Sequence, residues 1–591
     1  MTETFSWGVA TSAYQIEGAR YEGGKGESIW DRFSDEGRMK VKGDVACDHY
    51  HHLESDLDLL ADLGVDAYRF SVAWTRIMPS GEGPVSSDGL DFYSRLIEGL
   101  VERDIEPWLT LYHWDLPQAL QDRGGWASRN TASAFARYAG VVADAFGDRV
   151  HHWITQNEPW VATYLGHLYG DFAPGITDWP TALDVGHNLL LSHGRAVEAI
   201  RENAPGSSVG IALDCRPARP KSDSAEDREA ARHFDGFRNR WFFDPVFGKG
   251  YPEDMLRAFF VEDRTDDLEP AFIRSGDMDQ IATPIDFLGL NYYTTLPVGA
   301  GAEERDDPES PPGPNQPDGF TEMGWAIDPD GLRDYLGEIH RRYRPKSIVV
   351  TENGASFSDA PDSGDVIADR ARIDYLRRHI DAVRLAAEAG VPVDGYFVWS
   401  LMDNLEWTQG FDQRFGLVLV DQNTQQRIPK ESFAWYRDLV ASESEESVAL
   451  EAARSVVARD VGIRLVVDSG GPEMSEHLER WMDGYVLAWS TGRADQIAAL
   501  FSPDAIYDPQ TADGELHGLD EIVTWWQGTG DDPDGWDFAW LPVVDTDEVA
   551  VVSATTKYSD PPVSYRNLFI IKWGDDQRCI DFTEWYIEED A

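Results

Sequence analysis

Two glutamates stand where apolar, β-branched runs stop: Glu158 in Thr155-Gln-Asn-Glu-Pro-Trp160 and Glu352 in Val349-Val-Thr-Glu-Asn-Gly354. Cleavage of a glycosidic bond with retention needs one carboxyl that donates a proton to the leaving oxygen and another that attacks the anomeric carbon, about 5 to 5.5 Å apart. Two glutamates on one rim can meet that requirement. Pro159 disfavours helical geometry at Glu158 and is expected to hold it extended at a strand end. Gly354 is expected to permit a sharp turn just after Glu352. The spacing alone does not say which carboxyl is the acid and which the nucleophile.

Short β-branched or aromatic runs alternate with amphipathic helical stretches, which argues for a parallel α/β architecture. Eight strands are read near Ser6 to Ala10, Ala67 to Ser71, Pro107 to Leu111, Trp153 to Gln156, Ser208 to Leu213, Phe287 to Leu290, Ile348 to Thr351 and Gly395 to Trp399. Helical patterns intervene, among them Leu53 to Leu63, Leu90 to Arg103, Thr131 to Phe146, Ala182 to Asn203, Gly331 to Tyr343 and Ala371 to Ala389. Nearly every strand ends in a group able to bind or react: Gln15 and Glu17 after the first, Arg69 in the second, His113 after the third, Asn157-Glu158, Asn291, Glu352, and Trp399 closing the eighth. Active sites of (β/α)₈ barrels gather at that C-terminal face. A closed barrel is therefore expected rather than a doubly wound sheet.

The ordered segments Ala13-Tyr-Gln-Ile-Glu-Gly18, Tyr68-Arg-Phe-Ser71, His113-Trp-Asp-Leu-Pro117, Asn157-Glu-Pro159, Leu290-Asn-Tyr-Tyr293, Met323-Gly-Trp325, Thr351-Glu-Asn-Gly354 and Trp399-Ser-Leu-Met-Asp-Asn-Leu-Glu-Trp407 resemble the family-1 glycoside hydrolases, from about Phe5 to Asp438. The resemblance implies Glu158 as general acid/base and Glu352 as nucleophile, with Arg69 and Tyr293 beside the nucleophile and Asn291 in support. It implies hydrogen bonds from Gln15, His113, Asn157 and Glu406 to sugar hydroxyls and an apolar platform from Trp399 and Trp407. Trp325 is placed on the aglycone side and Phe415 at the sugar subsite. Arg69 and Tyr293 should favour the ionised nucleophile, and the charge of Glu352 should raise the pKa of Glu158. A glutamate at 406 should repel a 6-phosphate, so unphosphorylated β-glucosides are expected, with β-galactosides and β-fucosides beside them, and no cofactor. A transglycosylase, a sugar-binding pseudoenzyme and a bifunctional protein are the competing readings.

Length and charge frame this picture. A chain of 591 residues exceeds one barrel and suggests two domains. A barrel over 1–440, a linker over 441–472 and a second domain over 473–591 are expected. The net charge of −55 from 106 acidic and 51 basic residues repels nucleic acid and anionic membranes. The acids are spread along the chain, a pattern that resembles proteins of salt-loving organisms, so activity and folding are expected to require high salt. Cys47, Cys215 and Cys579 lie far apart without metal-binding spacing, and no zinc site or disulfide is expected. The start of the chain enters the first strand at once, and no apolar run approaches the roughly 20 residues of a membrane span, so a cytoplasmic location is expected. The Pro- and acid-rich stretch Gly299 to Gly319 reads as a surface loop.

From Ser475 the pattern changes to amphipathic helix and then alternating strands at Val549 to Tyr558, Val563 to Trp573 and Cys579 to Ile587, with Asp575-Asp576 in a hairpin turn. Phe501-Ser-Pro-Asp504 and His517-Gly518 before a helix add to a resemblance to the SnoaL-like branch of the cone-shaped α+β fold that includes nuclear transport factor 2. Asp508, His517 and Glu584 are candidates to face its pocket, although satisfied or surface positions carry more weight. No chemistry is assigned to this region; it could pair copies of the chain as a homo-oligomer.

Overall fold

In the computed structural model of the protein, residues 5–260, 270–301, 319–359, 367–443, 475–509, 515–528, 536–546, 548–559, 562–574 and 576–589 are described. The chain divides into two compact units, Met1–Ser444 and Glu445–Ala591. Residues 431–443 are helical, so the helix runs past the expected boundary at 440. The rest of the expected linker and most of the Gly299 to Gly319 stretch lie outside the described residues.

The first unit is built on a closed, wholly parallel barrel of β1 (Ser6–Ala10), β2 (Ala67–Ser71), β3 (Glu106–Tyr112), β4 (His152–Asn157), β5 (Ser208–Cys215), β6 (Phe287–Tyr292), β7 (Ile348–Asn353) and β8 (Val393–Trp399), with β8 pairing back onto β1. All eight expected strands are present. Alternate side chains divide between two cores, as a strand buried on both faces demands. Ala10, Ala67, Ala212, Trp108, Phe287 and Phe397 fill the barrel interior, while Val9, Tyr68, Phe70, Leu109 and Leu111 meet the surrounding helices. Small residues on some strands leave room for large ones on others: the Trp108 ring lies 5.1 Å from Phe287 and 5.0 Å from Phe397. Gly8 is part of this fit, since a Cβ there would come within 2.4 Å of the Phe397 ring. This apolar plug closes the lower barrel and leaves the C-terminal ends of the strands to polar groups.

The helices begin where capping chemistry dictates. Asp178 accepts the Thr181 N–H at 3.0 Å to open Trp179–Asn203, and Asp328 accepts the Gly331 N–H at 3.0 Å to open Pro329–Tyr343. The long segment after β5 holds helices Ala225–Asp235 and Glu253–Phe260.

The second unit has helices Glu476–Thr491, Ala494–Leu500 and Leu519–Gly528 packed on a six-stranded sheet of β9 (Phe501–Asp508), β10 (Leu516–His517), β11 (Trp536–Asp545), β12 (Val549–Ser559), β13 (Pro562–Trp573) and β14 (Cys579–Glu589), in the order β10-β9-β14-β13-β12-β11. Trp481, Tyr485, Phe501, Trp526, Phe569 and Phe582 form its core. The turn between β13 and β14 is closed by the Gly574 N–H donating to the Arg578 carbonyl at 2.8 Å; Asp575 lies outside the described residues. Glu584 accepts from the Tyr507 hydroxyl at 2.6 Å and from the Asn567 amide at 3.4 Å, and the His517 side chain is exposed. Asp508 is half-buried.

Candidate active site

Both glutamates follow irregularities in strand pairing. The β4–β5 register shifts between Ile154 and Asn157. Thr155 and Gln156 both turn outward in consequence, the Thr155 hydroxyl to His193 Nδ1 at 2.6 Å and the Gln156 amide donating to the Ser192 hydroxyl at 2.8 Å. Asn157 then returns to the interior. The β6–β7 register shifts between Leu290 and Asn291, which brings Asn291 opposite Glu352. Bulges of this kind re-aim side chains beside functional sites.

Glu158 is left-handed, with φ +47°, not extended. Pro159 keeps it out of the right-handed helical region, but the hydrogen bond from its N–H to the Ala212 carbonyl on β5 (2.9 Å) fixes the backbone in the less populated alternative. Gly354 also acts differently from the turn expected of it. A Cβ there would lie 1.8 Å from the Trp399 carbonyl oxygen, so glycine lets the end of β7 press against the end of β8.

A continuous hydrogen-bond network joins the two carboxyls. Arg69 Nη1 donates to Glu352 Oε1 at 2.6 Å and Nη2 to Asn157 Oδ1 at 2.5 Å. The Tyr293 hydroxyl donates to Glu352 Oε2 at 2.7 Å. Asn291 Nδ2 donates to Glu158 Oε1 at 2.6 Å and to Asn157 Oδ1 at 3.1 Å, and also acts on Glu352. Its orientation is set by the Thr351 hydroxyl, which donates to Asn291 Oδ1 at 2.7 Å. With Asn157 Oδ1 accepting twice, its Nδ2 is left to donate to His113 Nε2 at 3.2 Å. Burial, then the Arg69 charge, holds the His113 imidazole well below its ordinary pKa, so the ring is neutral.

Burial first, then the charge of Glu352, then that of Asp214, holds Glu158 well above the usual carboxylate range. The sequence suggested Glu352 as the cause; desolvation leads it. Burial pushes Glu352 up as well, against the pull of Arg69 and the Tyr293 hydroxyl. Only Glu352 has a cation and a phenol donor on its oxygens, so Glu352 ionises first and Glu158 keeps the proton.

These groups meet at a cavity of about 840 Å³, open to solvent, lined by His113, Glu158, Asn291, Tyr293, Trp325, Glu352, Trp399, Glu406, Trp407 and Phe415. Ten of the expected site residues thus share one wall; Arg69, Gln15 and Asn157 lie outside that lining. Gln15 Nε2 donates to Asn404 Oδ1 and to the Leu405 carbonyl, both at 3.0 Å, and Gln15 Oε1 accepts from the Ser12 hydroxyl at 2.6 Å. It therefore braces the loop that carries Glu406. Trp407 is wedged among Tyr14, Trp30 and Trp114, with ring centroids 6.0, 4.4 and 4.6 Å away, which fixes one edge of the cavity.

Burial, then the charge of Glu352, pushes the Glu406 carboxyl up to about 8. The repulsion of a phosphate expected from its charge therefore operates fully only above that pH. Between its ordinary pKa of 4.5 and about 8, the folded protein holds this proton and the unfolded chain does not, so stability falls as pH rises through that window. Glu406→Gln is expected to raise Tm at pH 9 by about 2 °C and to leave it nearly unchanged at pH 4.5, as read by thermal unfolding at the two pH values.

Asp214, Cys215, Arg216, Arg238, Trp160, Trp114 and Met323 also line the cavity, and sequence reasoning assigned none of them a role. A signal existed at the fifth strand, the one strand end without a nominated polar group, where Leu213-Asp-Cys-Arg216 follows the apolar run. Trp160 sits two residues past Glu158 in the same motif.

Residues 1–445 match the model of glycosyl hydrolase family 1, and the chain belongs to that family. Residues 478–582 match the SnoaL-like domain. The chain is 44% identical over 453 residues to beta-glucosidase A of Thermotoga maritima, covering 74% of this chain and 97% of that protein. It is 44% identical over 468 residues to the bifunctional beta-D-glucosidase/beta-D-fucosidase of Bifidobacterium breve, covering 74% and 98%. The solved structure of the family 1 β-glucosidase from Thermotoga maritima superposes with a TM-score of 0.69 at 44% identity, over 75% of this chain and 98% of that one.

Proposed function

We propose that the barrel is a retaining β-glucosidase that releases terminal non-reducing β-D-glucosyl residues, with β-D-galactosides and β-D-fucosides as side substrates. The observation that carries this reading is the single Asn291 amide set against both glutamates at the wall of one cavity. One amide between two carboxyls keeps them within about two hydrogen-bond lengths, roughly 6 Å. That favours the short spacing of retaining enzymes over the wider gap that admits a water in inverting ones.

In the first half-reaction ionised Glu352 attacks the anomeric carbon while protonated Glu158 gives its proton to the departing oxygen. The anomeric C–O bond breaks and a glycosyl ester forms on Glu352. Esterification removes the Glu352 charge, so Glu158, now a carboxylate, becomes a base, takes a proton from water and directs the hydroxyl to the anomeric carbon, whose ester bond to Glu352 breaks and frees that carboxylate. Two inversions leave net retention, and neither step calls on a cofactor. His113 and Glu406 bond the sugar hydroxyls, Trp399 and Trp407 supply the apolar platform, and Phe415 flanks it. Gln15 and Asn157 also bond sugar hydroxyls, and they brace the Glu406 loop and His113 respectively. Glucosides without a 6-phosphate are favoured because the Glu406 carboxylate, fully ionised above about pH 8, repels a phosphate beside it.

Assay with aryl β-glucoside, β-galactoside and β-glucoside 6-phosphate in molar KCl tests this. Highest kcat/KM on the first is expected; preference for the phosphorylated glycoside, or no turnover of any, would overturn it.

The charge of −55 supports a salt-requiring enzyme, since the Debye length falls to about 3 Å at 1 M and damps self-repulsion. Activity and Tm are expected to rise together between about 0.05 and 2 M KCl; full activity and an unchanged Tm in dilute buffer would refute this. Among the described residues no helix is long and apolar enough to cross a membrane, and a cytoplasmic location fits the three thiols being unpaired. We assign the SnoaL-like unit no chemistry; pairing of chains through it predicts a solution mass of twice 66.3 kDa.

A further inference from the structure

Lys430 is a buried cation that the reaction does not use. It stands just before the helix over 431–443, and its side chain is wholly closed off from solvent. Its Nζ donates to Asp403 Oδ1 at 2.9 Å and to Asp359 Oδ2 at 2.7 Å, and its backbone N–H donates to the Leu417 carbonyl at 2.9 Å. Asp359 also pairs with Arg372, whose Nε donates to Asp369 Oδ2 at 2.9 Å. Buried charges therefore alternate in sign along Asp403, Lys430, Asp359, Arg372 and Asp369. Desolvation offsets much of the attraction between such groups, so they add fixed geometry more than net stability.

Both carboxylates on Lys430 belong to loops at the C-terminal face of the barrel. Asp359 follows β7, and Asp403 follows β8 in the segment Asp403-Asn-Leu-Glu-Trp407 that brings Glu406 and Trp407 to the cavity. Asp403 Oδ1 also accepts the Gly416 N–H at 2.9 Å, one residue past Phe415. On the other side of Phe415 the Arg414 carbonyl accepts from Arg372 Nη2 at 3.0 Å. One buried chain of charges thus fixes two parts of the sugar subsite, the loop of Glu406 and the backbone around Phe415. The two glutamates that react are held by a different set, Arg69, Asn157, Asn291 and Tyr293, which shares no member with it.

We propose that Lys430 is a positioning residue for the sugar subsite: its ammonium, set between Asp403 and Asp359, holds the Glu406 loop in place and so governs how tightly the glycone is bound. The proposal rests on the retaining-glucosidase reading and adds a residue that sets its affinity. Charge-assisted contacts of this kind fix direction as well as distance, and burial keeps them from being screened by salt. Loss of the bridge lets Glu406 drift from the hydroxyls it bonds while the reacting carboxyls stay where Arg69 and Asn291 put them.

The test combines Lys430→Met with Asp403→Asn, because Lys430→Met alone strands a buried carboxylate without its cation and is expected to lose stability. The asparagine keeps an oxygen for the Gly416 N–H, so the bridge alone is removed. In molar KCl the double variant should raise KM for an aryl β-glucoside about tenfold with kcat within about threefold of wild type, and should weaken glucose binding, read by tryptophan fluorescence, by a similar factor. Asp403→Asn alone, which leaves Lys430 on Asp359, should raise KM about threefold and serves if the double variant does not fold. In a Glu406→Ala background the double variant should add less than about threefold to KM, because the group it positions is gone. A role in stability alone would lower Tm and the active fraction, hence kcat, with KM and glucose affinity unchanged; that result, or a full tenfold rise in the Glu406→Ala background, overturns the proposal. Glucose titration needs no turnover, so a wild type that binds glucose and cleaves no glucoside overturns the glucosidase reading while Lys430 is still tested, and one that does neither overturns both.

Discussion

Glu352→Gln is expected to lower kcat/KM for aryl β-glucosides by about 10⁴-fold or more, roughly 5.5 kcal/mol of transition-state stabilisation, without loss of fold. The amide keeps the shape of the carboxyl: its oxygen can accept from Arg69 Nη1 and its nitrogen can donate to the Tyr293 hydroxyl, replacing two contacts of 2.6 and 2.7 Å. What it lacks is a nucleophile able to form the glycosyl ester. A mechanism-based 2-deoxy-2-fluoroglucosyl donor should therefore add one glycosyl mass to wild type, on the peptide containing Glu352, and nothing to the variant. Labelling elsewhere, or a variant with near wild-type kcat/KM, would remove Glu352 from the reaction. Loss of the anion also strips one of the causes that raise Glu158, so the residual activity should show its basic limb at lower pH than wild type.

The barrel was legible because each strand is an apolar run bounded by turns, and its order follows from alternation with helices. Helix starts were less so. Apolar periodicity placed one helix from Ala182 and another from Gly331, whereas the chain turns helical at Trp179 and Pro329 behind Asp178 and Asp328. The polar first turn carries no periodic signal, and only the cap residues mark it. In the second unit β11 went unread: Pro542 interrupts its pattern, and the pairing with β12 shifts between Pro542 and Val544.

The two glutamates were legible as strand-end carboxyls, but what aims them was not. The bulges before Asn157 and opposite Glu352 are properties of register between strands far apart in the chain, and no local pattern encodes them. The left-handed Glu158 likewise depends on Ala212 of the neighbouring strand accepting its N–H. The Asp214–Arg238 pair joins a strand end to an arginine in the segment between β5 and β6, and only folding brings them to one wall. Sequence reading thus finds groups with chemistry at the ends of elements and misses those whose role depends on the packing of an insertion.

Glu158→Gln is expected to separate leaving groups that need a proton from those that do not. For an alkyl glucoside or cellobiose, departure without the Glu158 proton should cost about 10² to 10⁴-fold in kcat/KM. For 2,4-dinitrophenyl β-glucoside, whose leaving group departs as a stable anion, kcat/KM should fall little. Its kcat should fall instead, because the glycosyl ester now waits for water without a base. Azide, an anion that needs no base, should restore kcat and yield β-glucosyl azide, since it attacks the ester from the face the aglycone left. The asparagine contact survives the substitution, because the amide oxygen of the variant can accept from Asn291 Nδ2 as Glu158 does at 2.6 Å. The pH profile supplies the sign. Wild-type activity falls as pH rises through the raised pKa of Glu158, which burial and then Glu352 lift, and the variant should lose that basic limb while keeping the acid limb set by Glu352. Equal losses for both leaving groups, or a basic limb unchanged in the variant, would assign the proton to some group other than Glu158.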